Sequence, residues 1–388
     1  MVETAPVTDE LDRYMIEQFK QFHRHPELCD QEKWTTAKIA DELHQMAIPI
    51  LNFPIQSGLV AQIGPGNGPT IALRADIDAL PLQEETDLPY KSEISGAAHA
   101  CGHDFHIAAL LGAAKLLKER ESQLSGNVRL IFEPGEERHV GAREMIHAGI
   151  LKDVLAISGI HNMPTIPVGT VGMKIGKLMA SNDNFDVTIT GVGSHAAMPQ
   201  TGRDPIVAVA NTIMTLQTIV SRNISPSDRL VLTVGAIRGG HVNNVIPESA
   251  GFKGTIRTFS EADRKLAKQR FYEIVNATAS AYDQTATITW DQEPAPVDNS
   301  EAITNLIANQ ASQFMKVTDA IPSNADDDFA EYEQLIPGCY AFMGSKGQAN
   351  LHHPDFIANP EGLKYAAKFH EQAALALLAH FNQKDKVE

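Results

Sequence analysis

Runs of four to six apolar residues, each followed by a segment of helical length, recur along the first half of the chain. This alternation confines it to an α/β layer built on a largely parallel sheet. Val60–Ile63, Thr70–Leu73, Val128–Phe132 and Leu155–Ile160 have strand character, and Ile107–Lys118 is an Ala/Leu-rich helix. Ahead of them, Tyr14, Phe19, Phe22, Ile39, Leu43 and Met46 recur at helical spacing, broken by the turn at His25-Pro26. Near Ala180 the pattern changes. Phe185–Thr190 alternates as a half-buried strand, Asp204–Val220 is helical, Leu230–Val234 and Gly251–Thr258 are strands, Arg264–Tyr282 is a helix, and Ala286–Trp290 closes as a strand. The order β-α-β-β-α-β predicts an independent ferredoxin-like α+β unit. P-A-P-V-D-N-S then leads the chain back, and Gly338–Met343 adds one more buried strand. The expected architecture is a split α/β domain, residues 1–180 and 292–388, with a smaller domain inserted over residues 181–291.

A length of 388 residues suits two domains. Asp and Glu number 48 against 32 Lys and Arg, a net charge of −16 spread along the chain. Such a surface repels phosphate backbones and anionic lipid, so neither nucleic acid nor a membrane is expected as a partner. No stretch approaches the ~18 apolar residues of a membrane span, and M-V-E-T-A-P-V-T-D-E-L-D lacks the pattern of a signal peptide. Cys29, Cys101 and Cys339 leave one over from any disulfide pairing, which suits a reducing, cytoplasmic location. Fifteen histidines are the unusual quantity, because imidazole is the commonest metal ligand.

Ligands in open α/β sheets gather beyond the carboxyl ends of the strands. Thr70–Leu73 is followed by R-A-D-I-D-A-L-P, where Asp76 and Asp78, two apart in an extended segment, share a face. Alone, two acids there describe a solvated loop. A-H-A-C-G-H-D-F-H gathers His99, Cys101, His103 and His106 at a helix start, which favours thiolate over thiol. The plain alternative is a buried cysteine among solvated histidines. Val128–Phe132 leads into E-P-G-E-E, where the adjacent Glu136 and Glu137 point different ways: one can bind a cation while the other reaches a water on it. An acidic helix start would look the same. His161 directly follows Leu155–Ile160, a position where a lone histidine is commonly a structural hydrogen-bonder. Gly338–Met343 leads through a Gly-rich turn to His352 and His353. Five successive strand ends thus each carry a metal-competent residue. A mixed sulfur, nitrogen and oxygen set suits Zn, Mn, Co or Ni better than Mg or Ca.

These residues resemble the co-catalytic metallohydrolase family of aminoacylases and carboxypeptidase G. The nearest branch is the amidohydrolases, which includes hippurate hydrolase, auxin-conjugate hydrolases and N-acetyldiaminopimelate deacetylase. The likeness runs nearly end to end, through F-H-R-H-P-E-L, R-A-D-I-D-A-L-P, H-A-C-G-H-D, E-P-G-E-E, G-I-H-N-M-P, S-H-A-A-M-P, G-G-H-V-N-N-V-I-P-E, G-T-I-R-T-F and L-H-H-P-D-F. The resemblance implies two divalent metal ions per subunit, held by Cys101, His103, Glu137, His161 and His352. It implies Glu136 as general base and Asp78 as an orienting acid, with Asp76 standing where the aminopeptidase-like branch has a histidine ligand. From the inserted domain, which in the family serves as lid and dimerisation domain, His195 would polarise the scissile carbonyl. Asn244 and Arg257 would contact the substrate carboxylate. The implied reaction is hydrolysis of an N-acetyl or aroyl L-amino acid to a carboxylic acid and a free amino acid, by a homodimer or homotetramer. A dipeptidase or carboxypeptidase of the same family is the alternative.

Three positions depart from the family pattern. E-P-G-E-E in place of Q-P-A-E-E adds Glu133, R-H-V-G-A puts Arg138 and His139 near the pocket, and D-D-F replaces E-D-F at Asp327, Asp328 and Phe329. They bear on substrate choice and remove no ligand. Two readings of other kinds compete. A cysteine hydrolase pairing Cys101 with His103 or His106 leaves the acids unexplained, and it would survive EDTA. A metal-binding or ligand-binding module without catalysis has no use for Glu136 beside Glu137, and it would show no turnover when metal-loaded. Cys29 and Cys339 carry no role in any of these readings.

Overall fold

The computed structural model describes residues 7–291 and 294–384. The start of the chain, where no signal-peptide pattern is read, lies partly outside the described residues, as do the outermost ends of the expected larger domain.

Two helices open the fold, α1 (Asp9–Arg24) and α2 (Lys33–Gln45). Thr8 caps α1 by accepting the Leu11 N–H, and Asp9, Glu10 and Asp12 complement the helix dipole in its first turn. One stripe of α1, Leu11, Met15, Phe19 and Phe22, is buried. Then come β1 (Ile50–Leu51), β2 (Leu59–Ile63), β3 (Thr70–Asp76), α3 (His103–Glu119), β4 (Asn127–Glu133), β5 (Val154–Met163) and β6 (Thr170–Met173). A second set follows: β7 (Asp183–Thr190), α4 (Pro205–Thr218), β8 (Leu230–Gly239), β9 (Ser249–Thr258), α5 (Glu261–Ala281) and β10 (Thr285–Trp290). The chain closes with α6 (Glu301–Ala311), β11 (Lys316–Asp319), β12 (Gly338–Gly344) and α7 (Leu363–Lys384).

These elements form two compact units. One runs to Leu178 and resumes over Asp298–Ile321 and from Asp327; the other covers Met179–Val297 and Pro322–Asp326. In the first, eight strands lie in the order β1-β2-β4-β3-β5-β12-β6-β11. The central β4-β3-β5-β12 block is parallel, as is β6-β11, while β1-β2, β2-β4 and β12-β6 are antiparallel. Every residue of β3, β4 and β12 is buried, as a sheet covered on both faces requires. The core beneath it joins Phe19 and Phe22 of α1, the Ala/Leu face of α3, and Phe369, Ala373 and Leu377 of α7.

The second unit is a four-stranded antiparallel sheet in the order β8-β9-β7-β10. Phe185, Val187 and Ile189 of β7 are buried with Phe271 and Val275 of α5 and Leu216 of α4. Asp204 and Ser260 cap α4 and α5 by accepting the N–H groups of Ile206 and Asp263. Those caps start α5 three residues earlier than its apolar spacing alone indicates. At the other end, α4 gives way at Ile219–Asn223 to a wider turn.

Candidate active site

Five chain segments meet at the carboxyl ends of the first unit's central strands. Helix α3 begins at His103, four residues ahead of its apolar stretch, and Gly102 precedes it with φ +86°. A Cβ on Gly102 would lie 2.2 Å from Asn162 Nδ2, so only glycine lets the Cys101 and His103 side chains converge here. Cys101 Sγ lies 3.4 Å from His161 Nε2. The His161 Nδ1–H donates to the Asn162 carbonyl at 2.6 Å, which leaves the Nε2 lone pair facing the thiol. His161 does not follow a strand that ends at Ile160. β5 continues to Met163, with His161 opposite Phe342 of β12, because that parallel pairing extends past the apolar run.

After β4, the chain turns at Gly135 (φ +66°) into the Glu136–Arg138 turn. Asp78 accepts the backbone N–H groups of Glu136 and Glu137, each at 3.1 Å. From the other side, Glu32 accepts the Gly135 N–H at 2.9 Å and the Ser57 hydroxyl at 3.0 Å. So held, Glu137 Oε1 stands 3.8 Å from His103 Nε2 and 3.7 Å from His352 Nε2. Glu136 Oε2 stands 3.9 Å from His103 Nε2, and Asp78 Oδ1 is 3.3 Å from His103 Nδ1. His352 has a left-handed backbone (φ 61°), and its N–H donates to the Ala100 carbonyl at 2.8 Å, which ties it to the Cys101 turn.

Two groups of donors share the Cys101 thiol: Cys101, His103 and His161, and Cys101, Glu137 and His352. Within each, the donor atoms lie within 4.8 Å of one another. His103 Nδ1 faces Asp78, but the buried Nε2 has no hydrogen-bond partner, and neither does Glu137 Oε1. Buried polar atoms are rarely left so. Converging sulfur, imidazole and carboxylate donors with unsatisfied lone pairs are what a divalent cation completes, and two cations sharing this donor set fit.

Burial, with Glu137 and Glu136 beside it, pushes the Cys101 thiol well above its ordinary range. Without a cation, burial first and then the neighbouring carboxylates favour the thiol form of Cys101. Burial pushes His161 down to about 3, which keeps its ring neutral. Burial opposes charge on His103 as well, but Asp76, Asp78 and Glu137 together raise it to about 10. Burial, then Asp327 and Glu137, hold the Glu136 carboxyl well above the usual range, while burial takes Glu137 to about 7.

Asp76 has a different neighbourhood from Asp78. It accepts from His106 Nδ1 at 2.5 Å and from Arg74 Nη1 at 2.7 Å, with His103 Nε2 at 3.8 Å. The added Glu133 does not reach the donors. It pairs with Arg74 Nη2 at 2.6 Å and with the Tyr332 hydroxyl. Asp328 lies 3.0 Å from the same guanidinium, and Tyr340 donates to Asp327 at 2.5 Å. Arg138 turns to solvent and pairs with Asp30 at 2.8 Å. Cys29 and Cys339 are buried thiols, each pushed up to about 12 by burial.

The remaining three residues belong to the second unit. His195 pairs in register with Val245, and the Ala196 N–H donates to Asn244 O at 3.1 Å, so His195 and Asn244 are neighbours. His195 is exposed, and its Nδ1 accepts from the Ala197 N–H at 3.0 Å, which in the neutral ring puts the proton on Nε2 as a free donor. Arg257 donates to the Asn324 carbonyl at 3.0 Å and pairs with Asp326. The reading from sequence missed Arg74, Glu32 and Asn162. Only Arg74 left a signal, since it stands two residues from Asp76 on one strand and so shares its face.

A largely parallel α/β unit carrying these donors at its strand ends, with an inserted α+β unit, defines the class of metal-dependent hydrolases. The chain belongs to the peptidase family M20/M25/M40, whose model matches residues 72–376. It is similar to the N-acetyl-L-cysteine deacetylase of Bacillus subtilis (strain 168), at 45% identity over 99% of this chain and 93% of that protein. It is also similar to the IAA-amino acid hydrolase ILR1-like 5 of Arabidopsis thaliana, at 37% identity over 91% and 84% of the two chains. Among solved structures, a dinuclear metal binding peptidase of the M20 family from Bacillus subtilis matches with a TM-score of 0.87. The identity is 37%, and the match covers 96% of this chain and 99% of that one.

Proposed function

We propose that the protein is a metal-dependent amidohydrolase that cleaves the amide bond of N-acyl L-amino acids, releasing a carboxylic acid and a free amino acid. The observation that carries this reading is Glu136, a buried carboxyl held above its ordinary range, beside His103 Nε2 and Glu137 Oε1, two buried atoms with no hydrogen-bond partner. Similarity to a deacetylase of an N-acetyl amino acid and to a hydrolase of an amino acid conjugate supports the substrate class.

Cys101, His103, Glu137, His161 and His352 would hold two divalent ions per subunit, with Mn, Zn, Co or Ni matching the donor chemistry. When bound, the ions supply Lewis acidity, which lowers the pKa of a water from ~16 towards ~7. Glu136 takes a proton from the attacking water and returns it to the departing amine nitrogen, work suited to a carboxyl with a raised pKa. Asp78 keeps His103 and the Glu136–Glu137 turn in place through 3.3 Å and 3.1 Å contacts. Asp76 orients His106. On this reading the Nε2–H of His195 polarises the scissile carbonyl, and Asn244 and Arg257 meet the substrate carboxylate. The working form is a cytoplasmic homodimer or homotetramer.

The test is a turnover screen of N-acetyl amino acids, benzoyl-glycine and dipeptides on Mn-loaded protein. Hydrolysis of an N-acyl amino acid is expected. Turnover of dipeptides alone would transfer the reading to a dipeptidase of the same family.

A further inference from the structure

We propose that Asn162, which contributes no donor atom to the cations, is the positioning residue that locks Cys101 and His161 into their binding geometry. The inference rests on the metal-dependent reading of these two residues. Asn162 is fully buried on β5. Its carbonyl accepts the His161 Nδ1–H at 2.6 Å, which sets the tautomer and ring orientation of that ligand. Its own N–H donates to His106 Nε2 at 2.8 Å. His106 Nδ1–H in turn donates to Asp76 at 2.5 Å, so both His106 nitrogens are engaged and His106 acts as a strut rather than a ligand.

The side chain reaches the other ligand. Asn162 Nδ2 donates to the Cys101 carbonyl at 2.6 Å, and Oδ1 accepts the Ser345 hydroxyl at 3.1 Å. A carbonyl only accepts, so the amide nitrogen must face Cys101, and the Ser345 bond fills the opposite side. The Asn162 amide also fills the space over Gly102 that a Cβ would need. One residue thus grips the backbone of one ligand and the ring of the other, and the turn into α3 closes against it.

The test uses Co²⁺ alone as probe, measuring its dissociation constant and the thiolate-to-cobalt absorption that reports the Cys101 bond. Asn162→Asp keeps the shape but sets an oxygen against the Cys101 carbonyl. It is expected to weaken Co²⁺ binding by ~10–100-fold and to alter the absorption. Ser345→Ala removes only the far anchor and is expected to weaken binding by roughly 2–10-fold. As a control, Ile307→Ala in α6 should lower the melting temperature and leave Co²⁺ affinity alone, which separates positioning from general destabilisation. A folded Asn162→Asp variant that binds Co²⁺ with wild-type affinity and absorption overturns the proposal. If that variant fails to fold, unchanged affinity in Ser345→Ala overturns it instead. If the unaltered protein takes up no Co²⁺, the ligand assignment itself fails, and that result needs no variant to read.

Discussion

Glu136 and Glu137 are neighbours in sequence, yet Asp78 holds both their amides and turns their carboxyls to different duties. Glu137 Oε1 lies within 3.8 Å of both His103 Nε2 and His352 Nε2, Glu136 Oε2 lies 3.9 Å from His103 Nε2, and Glu136 is the residue proposed to move the proton. Glu136→Gln is therefore expected to cut kcat by ~10²–10⁴ while metal affinity holds, measured by turnover beside chelator competition. His195→Ala should cut kcat by ~10²–10³ with metal binding likewise intact; near-wild-type turnover would remove it from the mechanism. At this scale the gathering of Cys101, His103, Glu137, His161 and His352 was legible, because sulfur, imidazole and carboxylate residue types at successive strand ends announce their chemistry. Asn162 and Glu32 were not. An asparagine or a glutamate has no distinctive chemistry alone, and what each does here depends on partners about 60 and 100 residues away in sequence.

Among the elements, β3 carries a fully buried guanidinium. Arg74 is fully buried and ties β3 to Glu133 of β4, to Asp328, and to the Tyr340 hydroxyl of β12 at 3.3 Å. Removing the guanidinium that faces Asp76, Glu133, Asp327 and Asp328 leaves buried carboxylates without that partner. Arg74→Met is expected to cost ~3–5 kcal/mol in chemical denaturation. Helix α1 contributes a second buried ionic contact. His23 Nδ1 lies 2.6 Å from Asp104 of α3, and Nε2 lies 3.3 Å from Glu84. Burial disfavours the imidazolium, but those two carboxylates outweigh it and raise His23 from 6.5 to about 9. A raised folded-state pKa means the stabilisation is complete below about pH 6.5 and is lost as the pH climbs through about 9. His23→Gln should flatten the fall of melting temperature across that window. The strands and helices read from periodicity are present, but their ends were not visible, and β6, β11, α6 and α7 were not read at all. Caps at Thr8, Asp204 and Ser260 and pairing with β12 decide the ends, and none of them is apolar periodicity.

For the molecule as a whole, the change of pattern near Ala180 made an inserted unit visible. The short returning stretch Pro322–Asp326, which packs with the second unit, left no such mark because five residues carry no period. The largely parallel sheet was legible in its buried runs, while the antiparallel β1 and β2 edge and the β12-β6 pairing were not. Partner choice between strands is a tertiary matter. Among the described residues no helix is long and apolar enough to cross a membrane. On the proposed reading, the donors that converge around Cys101 and His103 hold catalytic cations. The most direct measurement is hydrolysis of an N-acyl amino acid before EDTA, after EDTA, and after Mn²⁺ is returned. Activity that disappears with the chelator and recovers with the metal is the predicted result. Activity that persists in EDTA, or no turnover of any N-acyl amino acid by fully metal-loaded protein, would contradict it.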